Sequence, residues 1–155
     1  MNAGVFYGNV YDLAPVVMAF FAECRCSEFD VEIDLKRVFD ELNQLKTGPD
    51  SALIVLVNEA GAPCGYMGVL TFTSPIGHER IANEHYWYVK PDCRKLSSLK
   101  MLAEAQKWAK GKGCTHFIST ASRMASDMHD DVCSLYENLG MKKFETSYII
   151  NLKEV

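Results

Sequence analysis

Apolar residues recur at helical spacing in four stretches of this chain, and β-rich runs fill the stretches between them. From Tyr11 to Cys24, the residues Leu13, Val16, Val17, Phe20 and Phe21 form one helical face. Asp12 is the expected cap, and Pro15 is tolerated in the first turn. Asp34 reads as the N-cap of a second helix. It carries Leu35, Val38, Phe39, Leu42 and Leu45 on one side and stops at Gly48-Pro49-Asp50. A third helix is expected over Ser97–Lys110, closed by Gly111-Lys112-Gly113, and a fourth over His129–Leu139, closed by Gly140.

The strand signals lie between these helices. Gly4 to Tyr7 reads as a short first strand. Ala52–Val57 and Cys64–Thr73 flank the turn residues Asn58 to Pro63 and predict an antiparallel hairpin. Ser74-Pro75-Ile76-Gly77 turns the chain again, and Ile81–Val89 follows as a strand rich in aromatic residues. Thr115–Thr120 is a further strand, and Lys142–Leu152 is expected to supply one or two closing strands. The order strand, helix, strand from Ile81 to Thr120 implies a parallel pair joined by a right-handed crossover. The pattern as a whole predicts a mixed α/β (α+β) domain over residues 1–155, with a mixed sheet and helices on both faces.

Composition narrows the function classes. A hydrophobic content of 48% excludes a disordered chain. No apolar run approaches the roughly 20 residues of a membrane helix. The start of the chain lacks the pattern of a secretory leader, so it reads as cytoplasmic with no membrane partner. A net charge of −4 argues against a nucleic-acid partner and suits a small cationic one. The six cysteines are scattered without a CxxC pair, and the histidines show no metal-ligand spacing. Free thiols and no metal are the expectation.

The candidate chemistry begins at Val89-Lys90-Pro91-Asp92-Cys93-Arg94-Lys95-Leu96-Ser97-Ser98-Leu99. Here a strand stops at a proline, crosses a short basic turn and enters a helix. Free backbone N–H groups and the positive end of the helix dipole then converge where a phosphate-bearing ligand would sit.

Val89-x-Pro-x-x-Arg94 followed by a helix resembles the cofactor motif of the GNAT superfamily of acyl-CoA N-acyltransferases. Ser134-Leu135-Tyr136-Glu137-Asn138-Leu139-Gly140-Met141 resembles that family's second signature, a helix ending in Tyr-Glu-x-x-Gly and an apolar residue. The element order is similar from the first helix onward. The resemblance implies a GNAT-like fold, with a mostly antiparallel sheet and one splayed parallel pair. It also implies acetyl-CoA as co-substrate, with Tyr88, Val89, Arg94, Lys95, Leu96, Ser97, Ser98 and Leu99 along the cofactor. Ser97 and Leu99 depart from the family pattern, which has small residues there that let backbone close on a pyrophosphate.

The same resemblance assigns roles. Tyr136 would protonate the departing thiolate, since a tyrosine O–H titrates near ~10 and a thiol near ~8.5. His85 would accept the amine proton, and Glu84 is the reserve base. Regular alternation puts Asn83, His85, Trp87 and Val89 on one face and Glu84 on the other, unless a bulge intervenes. Backbone near Val89 would hold the oxyanion. Glu28, Asp30, Glu32 and Asp34 border the family's acceptor pocket, although solvated loop charge explains them as well. Ser119, Ser122 and Arg123, after the next strand, are candidates to reach the cofactor arm or its phosphates, and Cys93 has no histidine partner evident in the sequence.

The expected activity is acetyl transfer to a primary amine, small-molecule or protein-borne, by direct attack in a ternary complex. Two alternatives stay open: a catalytically impaired binding or regulatory module on the same fold, and a lysine or N-terminal protein acetyltransferase. Homodimers are common in the family, and sequence does not decide the assembly here.

Overall fold

The computed structural model describes residues 1–155. Five strands form one sheet in the order β1 (Asn2–Val5), β2 (Ser51–Val57), β3 (Pro63–Thr73), β4 (Arg80–Val89) and β5 (His116–Ile118). The first four pair antiparallel, and β4 with β5 is the one parallel pair. Helices α1 (Ala14–Glu23) and α2 (Leu35–Thr47) cover one face. Helix α3 (Lys100–Gly111) covers the other, and α4 (His129–Asn138) follows β5. No helix is long and apolar enough to cross a membrane.

Strand alternation divides the apolar side chains between two cores. Leu53, Val55, Tyr66 and Tyr88 meet Leu13, Val17, Phe20, Leu42 and Leu45 of the α1–α2 layer. Ile54, Leu56, Met67 and Val69 meet Met101, Leu102 and Ala105 of α3. The continuous apolar run of β2, buried on both sides, follows from this sandwiching.

Several boundaries move from their sequence positions. The first strand is Asn2–Val5, earlier than Gly4–Tyr7. A 3-10 turn over Val10–Leu13 precedes α1, and its cap is Asn9, whose side chain accepts from Tyr11 N–H at 3.0 Å; Asp12 does not cap. Asp34 caps α2 as expected, accepting from Arg37 N–H at 3.2 Å. The predicted helix at Ser97 opens as a 3-10 turn over Leu96–Leu99 and becomes α-helical only at Lys100.

The larger correction is at the C-terminal end. No strand forms within Lys142–Leu152, and Phe144, Tyr148, Ile150 and Leu152 are exposed. β-Propensity is a fit to a pleated, half-buried surface, so it needs a ladder partner and a core to face. The edge strand β5 offers only three residues to pair with, and Tyr148 and Ile149 stand side by side where alternation would separate their faces.

Close contact between β3 and β4 depends on Gly65. A Cβ there would lie 2.9 Å from the backbone oxygen of Tyr88, and backbone in a sheet centre cannot step aside cheaply. At Gly68 the nearest atom is instead Leu45 Cδ1, at the end of a side chain that can turn. Gly65→Ala is therefore expected to destabilise the fold by about 1–3 kcal/mol. Urea unfolding of the variant checks this, and an unchanged midpoint would show that the strand spacing has slack.

Candidate active site

β5 leaves β4 early. Their pairing covers Ile81, Ala82 and Asn83 and stops, while β4 continues to Val89. A gap therefore opens along β4 from Glu84 onward. In an antiparallel pair, alternate residues turn their N–H and C=O away from the partner strand. Lys90 donates to Cys64 O at 2.8 Å, so Lys90 faces β3 and Val89 and Trp87 direct their backbone groups into the gap. Arg94 Nε takes the Val89 carbonyl at 2.8 Å.

A bulge sets which side chains enter this gap. Gly68 opposes Tyr86 and Val69 opposes Glu84, so His85 is the extra residue on β4. The single inserted residue reverses the alternation. Glu84 comes to the same sheet face as Trp87 and Val89, and His85 leaves it. The regular-strand grouping of Asn83 and His85 with Trp87 is thereby overturned. His85 lies on the α2 side, with Nε2 3.3 Å from Glu41 Oε1 and its ring edge-on to Tyr86.

Glu84 is the one buried charged residue, and it faces α4. Tyr136 Oη donates to its carboxylate at 3.0 Å, and the Tyr136 ring stacks on Trp87 with centroids 6.1 Å apart. Burial pushes the Glu84 carboxyl up to about 7, against the bond from Tyr136 and the Ser119 hydroxyl and Thr120 N–H that face it. Ser119 Oγ nevertheless completes no hydrogen bond of ordinary geometry. Burial, the Glu84 charge and the shared hydrogen bond together raise the Tyr136 hydroxyl well above the usual tyrosine range.

Three buried polar atoms lack a partner: Asn83 Oδ1, Trp87 Nε1 and Ser119 Oγ. Asn83 ends the β4–β5 pairing, Trp87 lines the gap, and Ser119 follows β5. Buried donors and acceptors are normally satisfied, so the two orphans on the Glu84 face, Trp87 Nε1 and Ser119 Oγ, fit a polar chain such as an amide-bearing arm, while Asn83, one residue before Glu84, falls on the opposite face.

At the other end of the gap is the basic turn. Arg94 turns inward: Nη2 is 2.6 Å from Glu23 Oε2, and the guanidinium lies 5.5 Å from the Tyr88 ring centroid. Tyr88 Oη donates to Glu23 Oε1 at 2.7 Å, placing that side chain on the α1 side. Burial works to raise Glu23, but the bonds from Arg94 and Tyr88 outweigh it and hold the carboxyl below its ordinary value. Lys95 and Leu96 are exposed, and Ser97, Ser98 and Leu99 are half-buried. The N–H groups of Leu96 and Ser97 find no acceptor in the protein, whereas that of Ser98 bonds to Lys95 O at 2.8 Å.

Other expected groups are engaged locally. Asp34 caps α2, Glu28 pairs with Arg25, and Asp30 accepts from Asn151 at 3.3 Å. Arg25 also pairs with Asp127, which ties the segment after α1 to the loop before α4. Cys93 is buried in the core beneath the turn. The sequence reading missed the Arg94–Glu23–Tyr88 cluster and a histidine–cysteine contact on α4. Glycines at 65 and 68 within a strand were the available signal for the bulge.

Residues 18–141 match the family model described as Acetyltransferase (GNAT) family. No curated protein matches the chain in sequence. Among solved structures, it is similar to a ribosomal-protein-alanine N-acetyltransferase from Brucella melitensis biovar Abortus 2308. That match has a TM-score of 0.72 and 14% identity, covering 98% of this chain and 100% of the other. An aminoglycoside 6'-N-acetyltransferase from Acinetobacter haemolyticus matches at TM-score 0.73 and 14% identity, covering 97% of each chain. An aminoglycoside N-acetyltransferase in complex with CoA matches at TM-score 0.74 and 11% identity, covering 97% of this chain and 93% of that one. At these identities the structural likeness establishes the fold.

Proposed function

The chain belongs to the acetyltransferase (GNAT) family, and from that premise we propose that it transfers acetyl from acetyl-CoA to a primary amine within a ternary complex. One observation carries this reading: the buried Glu84–Tyr136 pair stands where β5 parts from β4. An acid–base couple beside an open strand edge has what thioester aminolysis needs.

The unpartnered N–H groups of Leu96 and Ser97, with Lys95 beside them, would receive the pyrophosphate. The pantetheine arm would run along Trp87 and Val89, meeting the orphaned Trp87 Nε1 and Ser119 Oγ. The Val89 N–H would stabilise the oxyanion that forms as the amine attacks. Leu99 does not obstruct this arrangement through its identity alone, because the contact required of it is made by backbone.

Proton accounting favours Glu84 as the base over His85, which sits on the opposite face. The Glu84 carboxylate accepts a proton from the attacking amine. Tyr136 gives its hydroxyl proton to the leaving thiolate and regains one from Glu84. The charge that had raised the Tyr136 hydroxyl is gone once Glu84 is protonated, so the relay supplies the proton when sulfur needs it. The net result is transfer of one proton from amine to sulfur. A carboxyl poised near neutrality can both accept and return it.

The acceptor is proposed as a class. The named activities of the Brucella and Acinetobacter structures share an amine nucleophile, and the reading adopts that shared chemistry. Calorimetric titration with acetyl-CoA is expected to give saturable one-to-one binding, followed by thiol release on adding a reactive primary amine. No heat at millimolar acetyl-CoA would remove the enzyme reading and leave a binding module on the same fold.

A further inference from the structure

We propose that Cys133 is a second acyl acceptor in this site and takes acetyl from acetyl-CoA by thioester exchange, with His129 as its base. The inference rests on the acetyl-CoA reading above. Of the six cysteines, Cys133 alone has a histidine within hydrogen-bond reach, its Sγ lying 3.8 Å from His129 Nε2. His129 Nδ1 is 2.9 Å from Asp130 Oδ1. An Asp that holds Nδ1–H leaves Nε2 as the unprotonated ring nitrogen, and sulfur lies almost equally far from the two, 3.9 Å from Nδ1. Nucleophile, base and orienting carboxylate thus occur in sequence on one helix.

Their place on α4 puts them beside the gap. His129, Cys133 and Tyr136 fall at positions i, i+4 and i+7, one stripe of the helix. The stripe is pinned at both ends. Tyr136 bonds Glu84 and stacks on Trp87. Met128, just before His129, has its Sδ 3.9 Å from Arg94 Nη1 at the basic turn. Cys133 therefore lies on α4 between the end that meets the basic turn and the residue that meets Glu84, and its side chain is half-buried. Cys26, Cys64 and Cys93 are buried.

The step balances without another reactant. Cys133 gives its thiol proton to His129 Nε2, and Sγ attacks the acetyl carbonyl. A Cys133 S–acetyl bond forms and the CoA S–acetyl bond breaks. The CoA thiolate takes the proton from His129 and leaves as CoA. One thioester replaces another, so the fraction acetylated follows the ratio of acetyl-CoA to CoA.

The full-length chain is incubated with acetyl-CoA and no amine, quenched in acid and mapped by peptide mass spectrometry. One acetyl group is expected on the peptide carrying Cys133, removable by neutral hydroxylamine and by excess CoA, and absent in Cys133→Ser. His129→Gln should slow the labelling about tenfold or more. Calorimetry on the same samples separates the two readings. Acetyl-CoA bound with Cys133 unlabelled overturns this proposal and spares the transferase. An equal labelling rate in His129→Gln or in urea-unfolded chain reduces the reaction to solution chemistry and also overturns it. Absence of binding removes both.

Discussion

Glu84→Gln is expected to slow acetyl transfer by about 10²–10⁴-fold, the range a positioned base supplies, while making the fold more stable at alkaline pH. The two effects have one cause. Glu84 titrates near 7 in the folded chain because it is buried, against 4.5 ordinarily. Between those values the folded chain retains a proton that the unfolded chain has released. Stability from this group is thus complete below about pH 4.5 and is lost as pH rises through about 7, to a ceiling of about 3 kcal/mol. Glutamine keeps the shape and still accepts the Tyr136 hydroxyl, yet has no charge to desolvate. Urea unfolding at pH 5 and pH 8 should therefore show the variant near wild type at the lower pH and more stable at the higher one. In parallel, kcat/KM of the wild type should rise through an inflection near pH 7 that the variant lacks. A pH-independent stability difference would mean that Glu84 is not held as a buried acid.

Tyr136→Phe should lower kcat by about 10²-fold at saturating acetyl-CoA, with cofactor affinity little changed. The ring is retained, so its stacking on Trp87 survives and only the hydroxyl is lost. Losing that donor also removes one of the bonds that lower the Glu84 carboxyl. The acidic limb of the pH profile should accordingly move to higher pH. A residue that merely packed would lower stability without displacing the profile. Thiol release measured across pH distinguishes these cases, and an unchanged kcat removes Tyr136 as the proton donor.

The site was legible in unequal parts. The place of Tyr136 near the end of its helix was legible because that helix, its glycine stop and its neighbours are all local in sequence. The basic turn was identifiable for the same reason, a proline after an aromatic strand followed by a helical pattern. Which of Glu84 and His85 faces Tyr136 was not. It turns on one inserted residue opposite Gly68 and Val69, and a bulge is a property of two strands taken together. Arg94 reads as a phosphate ligand in the sequence, yet in the fold its side chain bridges Glu23, Tyr88 and the Val89 carbonyl. That contact joins the end of α1 to the turn after β4, which no local pattern encodes.

The closing strands mark the same boundary from the other side. Lys142–Leu152 has the composition of a strand and no partner with which to become one. By itself, the sequence determined the four helices, the strands from β1 to β5, their order and the apolar periodicity of each, along with the Asp34 cap of the second helix. Those follow from periodicity and capping, which act over a few residues. Only the tertiary structure decided which carboxyl is buried, where β5 leaves β4, and which cysteine meets a histidine beside that gap. Burial, register and desolvation depend on residues far apart in the chain arriving at one point, and the chemistry of this protein is set there.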